Sequence, residues 1–183
     1  MRVTALKGGL FRLSSGRVVS TVNLGSQLSG CSSGIYDGSD PASRPGGGEA
    51  QTRVIDLVNK GGAWYLTFQA SLQGNCNVQG MCGASTSTTL VWLKLSPALK
   101  VSARQAEVIE NCVGNDSLAR YSGMKTGQTG PYATLLELQS GLLEVVSTSP
   151  TSAADTTLYT TVRYQHAFPE QGLKVSSGLV VQD

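Results

Sequence analysis

The sequence predicts an all-β domain, and three observations carry that reading. Apolar and polar residues alternate with a period of two over most of the chain. The segment 86–95 is apolar on both faces, with Leu90 and Trp92 on one and Val91, Leu93 and Leu95 on the other, the pattern of a central strand covered on both sides. Turn-forming residues separate the alternating segments at roughly 10-to-15-residue spacing, close to that of sandwiches and barrels. About nine or ten strands follow from this count. The expected architecture is a two-sheet sandwich, with a barrel as the alternative, in one domain spanning 1–183.

In chain order, Leu10 to Leu13 and Arg17 to Leu24 flank Ser14-Ser-Gly16 and form the first predicted hairpin. Residues 25–50 carry Gly, Ser, Pro and Asp without periodic hydrophobicity, so they read as a long loop. Thr52 to Asn59 and Ala63 to Leu72 pair across Lys60-Gly-Gly62. On the second of these strands Trp64, Leu66, Phe68, Ala70 and Leu72 form the core face, and Tyr65, Thr67, Gln69 and Ser71 the opposite one. Residues 102–110 hold good helix formers, and 135–146 could be one helix broken at Gly141. The β-branched residues flanking both favour strands, the second turning at Ser140-Gly141. Residues 156–168 put Leu158, Val162, Tyr164 and Phe168 on one face with Thr160 and His166, and Leu179 to Val181 forms a last strand. Trp64, Leu66, Phe68, Leu90, Trp92, Leu93, Val162 and Tyr164 are the expected core.

Composition narrows the function classes. Charged residues make up 14% of the chain, whereas Ser (22), Thr (16) and Gly (22) together supply 60 of its 183 residues. A net charge of +2 without a basic cluster gives no footprint for nucleic acid. No apolar run reaches the ~18 residues of a membrane helix. Four cysteines in so hydroxyl-rich a chain suggest an oxidising compartment. Cys76 and Cys82 bracket a short Gly- and Asn-rich stretch, which leaves Cys31 for Cys112. Those two disulfides, and a secreted, cell-surface or periplasmic location, are the expectation. Met1 to Gly9 has no apolar stretch of signal-peptide length, so a leader would have been removed from this chain.

The catalytic patterns are weak. Gly30-Cys-Ser-Ser-Gly34 has the spacing of a nucleophile elbow around Ser32, but the Gly- and Pro-containing stretch after it forbids the required helix. Ser122-Gly-Met-Lys125 and Lys125-Thr-Gly127 match two serine-enzyme patterns that normally use separate lysines, and here they share one among glycines. His166 is the only histidine, which denies both a histidine metal cluster and a second imidazole. It reads as a packed, hydrogen-bonded residue, with no aspartate placed beside it by any pattern. Asp37-Gly-Ser-Asp40 begins like a calcium loop but is followed closely only by Glu49, too few oxygens for the ion. Glu107 with Glu110, or Glu137 with Glu144, could face each other as a glycosidase pair. Asn115-Asp-Ser117 is a glycosylation acceptor only in a eukaryote. The expectation is therefore no catalytic residue, no metal and no cofactor.

Aromatic placement gives the better binding signal. Tyr36, Tyr121 and Tyr132 lie in Gly- and Ser-rich segments where no periodic face explains them, and tyrosines add contact area at little entropic cost. They either anchor a partner from the loops 34–48 and 121–132 or lie back over the ends of the sandwich. The expected function is a non-catalytic extracellular or periplasmic module binding a glycan or protein partner through these tyrosines. The alternatives are a structural subunit of a surface or viral assembly and a small hydrolase using Glu or Ser chemistry. Assembly state separates the first two, and turnover on a broad substrate panel separates the third.

Overall fold

The computed structural model describes residues 1–6, 9–28, 50–73, 86–111, 117–122, 136–152 and 155–181. Among the described residues, eleven strands form three antiparallel meanders, and within each sheet a strand pairs with its neighbour in sequence. The first sheet contains β1 (Arg2–Ala5), β2 (Leu10–Ser15) and β3 (Val18–Asn23). The second contains β4 (Ala50–Lys60), β5 (Ala63–Gln73), β6 (Thr86–Leu95) and β7 (Val101–Glu110). The third contains β8 (Ser117–Tyr121), β9 (Leu142–Pro150), β10 (Thr156–Gln165) and β11 (Lys174–Val181), in the order β11-β10-β9-β8. The described residues also contain a four-residue helical turn, Gly25–Leu28, and a 3-10 turn, Pro169–Gln171. The fold is all-β and sandwich-like, with three sheets in place of two, none closed into a barrel. Among the described residues, no helix is long and apolar enough to cross a membrane.

The second sheet is the middle layer. Leu66, Phe68 and Ala70 of β5 and Val91, Leu93 and Leu95 of β6 pack with Phe11, Leu13 and Val22 of the first sheet. Tyr65, Leu90 and Trp92 project from the same two strands toward Leu143, Val145, Val162 and Tyr164 of the third. Strict alternation thus feeds two cores from two strands. The doubly apolar β6 is central, as its sequence requires. The second face of β5 is also buried: Thr67, Gln69 and Ser71 lie beneath the third sheet together with Tyr65. Of the expected core residues seven are buried, and Trp64 packs half-buried at the rim.

Both ambiguous segments contain strands, β7 and β9. The turn before β9 is at Ser140-Gly141, where both residues have positive φ (51° and 79°) and Gln139 and Leu142 exchange backbone hydrogen bonds. Lys60-Gly-Gly62 makes a similar hairpin, with φ of 60° and 75° at its glycines, the left-handed pair that matches strand twist. β11 begins at Lys174, five residues before the predicted start of the last strand, and is exposed along its entire length.

Candidate functional site

The described polar groups converge where β10 ends and the chain turns back into β11. A β-bulge in β4 between Val54 and Asp56 re-aims Asp56, so that Ile55 and Asp56 both face the third sheet. The Asp56 carboxylate is buried and accepts three hydrogen bonds. Leu57 N–H donates to Oδ1 at 2.8 Å, and Tyr164 O–H donates to Oδ2 at 2.7 Å. The third donor is His166 Nδ1–H, 2.9 Å from Oδ2. Burial first, and the adjacent Asp56 second, push the Tyr164 phenol above its usual value. The His166 side chain is 54% exposed. The carboxylate thus fixes an imidazole whose Nε2 is the ring nitrogen left for a further partner.

The segment after His166 is clamped at Ala167, Pro169, Glu170 and Leu173. Lys60 Nζ donates to the Ala167 carbonyl (3.2 Å) and to the Glu170 carboxylate (2.9 Å), and lies 5.8 Å from the Phe168 ring centroid. Its ammonium holds the Glu170 carboxyl below the usual range. Trp92 stacks on Tyr65, with ring centroids 6.2 Å apart, and donates from Nε1 to the Pro169 carbonyl at 3.0 Å. Gln105 grips the backbone of Leu173 twice, accepting from its N–H at 2.7 Å and donating to its carbonyl at 3.3 Å. Gly172 packs against that carboxamide with φ of 67° and ψ of −149°, a region essentially reserved for glycine. A Cβ there would collide with Gln105.

These anchors frame an open cleft of about 230 Å³ on the outer side of the third sheet, lined by Arg163, Gln165, Phe168, Gln171, Gly172 and Lys174. Phe168 falls beyond the end of β10, on the turn, and is 48% exposed. Sequence periodicity had aligned it with Val162 and Tyr164, but periodicity ceases to apply once the strand ends. A ladder of charges crosses the same sheet. Arg120 Nη2 reaches Glu144 Oε1 and Arg163 Nε reaches Glu144 Oε2, both at 2.7 Å. Arg163 in turn stands directly opposite Lys174 on β11. The Arg163 hydrogen bond, then the charges of both arginines, hold the Glu144 carboxyl below its usual range.

Tyr121 closes β8 and packs half-buried against the core that includes Tyr164 and Leu143. Tyr36 and Tyr132 lie outside the described residues, as do Cys31, Cys76, Cys82 and Cys112 with both expected disulfides. Ser32, Asp37, Asp40, Glu49 and Lys125 lie outside them too. The Ser122 hydroxyl is committed to β9, donating to the Glu144 carbonyl at 3.3 Å and accepting from its N–H at 2.8 Å. Glu137 is paired with Arg53 at 2.6 Å, whereas Glu144 is held by Arg120 and Arg163. Glu110 accepts from Thr88 at 3.0 Å, and burial raises the Glu107 carboxyl. Among the described residues, no group of three His, Cys, Asp or Glu side chains is arranged to hold a metal.

Asp56, the partner of His166, escaped sequence reasoning because 110 residues separate the two. The charge ladder had a local signal, since an antiparallel pairing of 156–163 with 174–181 brings Arg163 and Lys174 together, but residues 174–178 lack the apolar alternation that marks a strand. Comparison with protein-family models, curated proteins and solved structures gave no match for this chain.

Proposed function

We propose that this chain is a structural subunit that joins a second copy of itself along β11. The observation carrying this reading is the exposure of that strand. Among the described residues it is an edge strand, paired on one side only with β10, and such edges template further pairing unless charge or a bulge blocks them. Its single charge is Lys174, at its first residue. Val175, Leu179, Val180 and Val181 are all exposed, Leu179 by 66% and Val181 by 67%.

The strand is also self-complementary. An antiparallel pair centred on Gly178 sets Val175 opposite Val181 and Ser176 opposite Val180, and places the two Lys174 residues at opposite ends. Two-fold contacts of this kind present the same patch from both partners. The absence of an acidic residue on β11 is what favours a copy over a basic partner chain.

Sedimentation velocity tests the reading. The protein sediments as a dimer or larger at micromolar concentration, and Leu179→Lys with Val181→Lys converts it to a monomer with an unchanged circular dichroism spectrum. A wild-type chain that remains monomeric at high micromolar concentration overturns the proposal, as does an oligomer that survives both substitutions.

A further inference from the structure

We infer that the cleft between β10 and β11 is a binding site for an acidic sugar, a saccharide unit bearing a carboxylate or phosphate. The inference does not depend on pairing along β11. Its starting point is the placement of Arg163 directly across from Lys174 in an antiparallel register. Like charges in that position destabilise a sheet, and both side chains open into the same cleft. Of the neighbouring charges, Glu144 is the one acid in the ladder, and it is already shared between Arg120 and Arg163. Lys174 forms no ion pair among the described residues. Two cations therefore meet at the cleft with one carboxylate divided between two arginines, which leaves net positive charge for an anion.

The remaining lining selects a sugar over a bare ion. Phe168 offers an exposed ring at the cleft, and an aromatic face is electron-rich and suits the C–H-bearing face of a pyranose. Gln165 and Gln171 add carboxamides, each able to donate to and accept from hydroxyl groups. Arginine and lysine together suit a carboxylate or phosphate, the first through its planar fork and the second as a point charge. The volume, about 230 Å³, lies below the ~300–1,000 Å³ of clefts for drug-sized ligands and suits a single ring. The site is also preformed, because the clamps from Lys60, Trp92 and Gln105 hold the turn that carries Phe168, Gln171 and Gly172. Little ordering remains to oppose binding.

Titration calorimetry, with NMR shifts to map contacts, tests the site using four probes: glucuronate, glucose 6-phosphate, glucose and acetate. Glucuronate or glucose 6-phosphate binds saturably at millimolar concentration or below; glucose, which lacks the charge-assisted contact, and acetate, which lacks the ring and its hydroxyls, each bind at least about tenfold more weakly. The preferred acidic probe identifies the anion. Lys174→Gln and Phe168→Ala each weaken that binding by about tenfold while the protein keeps its fold, since both side chains are at the surface. Acetate binding as tightly as the acidic sugars, glucose binding equally, no saturable binding, or variants that bind like wild type would each overturn the inference.

Discussion

The two faces of the middle sheet are built on different principles. Toward β1–β3 the contact is almost wholly hydrocarbon: Phe11 and Phe68 pack with ring centroids 5.6 Å apart among leucines and valines. Toward β8–β11 the same strands present Tyr65, Gln69, Ser71, Thr88 and Trp92, and Asp56 lies there beneath Tyr164. Hydrogen bonds link these groups. Gln69 donates to Ser71 at 3.1 Å and accepts from Leu136 N–H at 3.2 Å, and Thr88 donates to Glu110. A dry face depends on filled volume, whereas a polar one depends on each group keeping its partner. The cleft and the oriented imidazole both lie on the polar side of the middle sheet, where hydrogen bonds from Lys60, Trp92 and Gln105 position the turn after β10.

Mutations on the two faces should therefore differ in size and in kind. Phe68→Ala removes a fully buried ring from the dry face and should cost about 3–5 kcal/mol in urea unfolding. Tyr164→Phe keeps the ring and deletes only the hydroxyl that donates to Asp56. It should cost about 1.5–3 kcal/mol, as for a hydrogen bond to a charged group. If Tyr164→Phe proves as costly as Phe68→Ala, the distinction between a packed face and a bonded one fails.

The smallest effect expected is at the rim of the polar side. Glu144 titrates in the folded chain below its ordinary value of 4.5 because of Arg163 and Arg120, so its contribution is complete above that value and lost as pH falls through the lower folded one. Urea midpoints measured against pH should fall less steeply on the acid side for Glu144→Gln than for wild type. Parallel curves would show that the ladder is too solvated to matter, as is common for exposed pairs.

The same contrast explains what the sequence disclosed. The dry face was legible because Leu66, Phe68, Val91 and Leu93 announce burial by composition and period alone. On the polar side Trp92, Val162 and Tyr164 were recognised as core, but Thr67, Gln69 and Ser71 looked like a solvent-facing edge. The burial of Gln69 and Ser71 depends on their partners Leu136 and Thr88, which no local pattern marks. Half of the cleft was hidden for a related reason. Lys174-Val-Ser-Ser-Gly178 lacks apolar alternation, and it becomes a strand through backbone pairing with β10. The charge ladder exists only in that register.

The clamps on the turn after β10 also set a timetable for synthesis. They join residues 110 apart (Asp56 with His166), 77 apart (Trp92 with Pro169) and 68 apart (Gln105 with Leu173). Once β7 has left the ribosome, the first and second sheets can close on each other, but Tyr65, Leu90, Trp92 and Ile109 have no cover of their own. At about 5–20 residues per second, the roughly sixty residues up to Leu173 take on the order of 3–12 s to arrive. Throughout that interval the nascent chain carries a bare aromatic and aliphatic face beside an unfinished meander. A pause or truncation between β7 and β10 would prolong that exposure and favour aggregation of the half-made protein, whereas a break within β1–β3 would remove a layer that all later strands take as given.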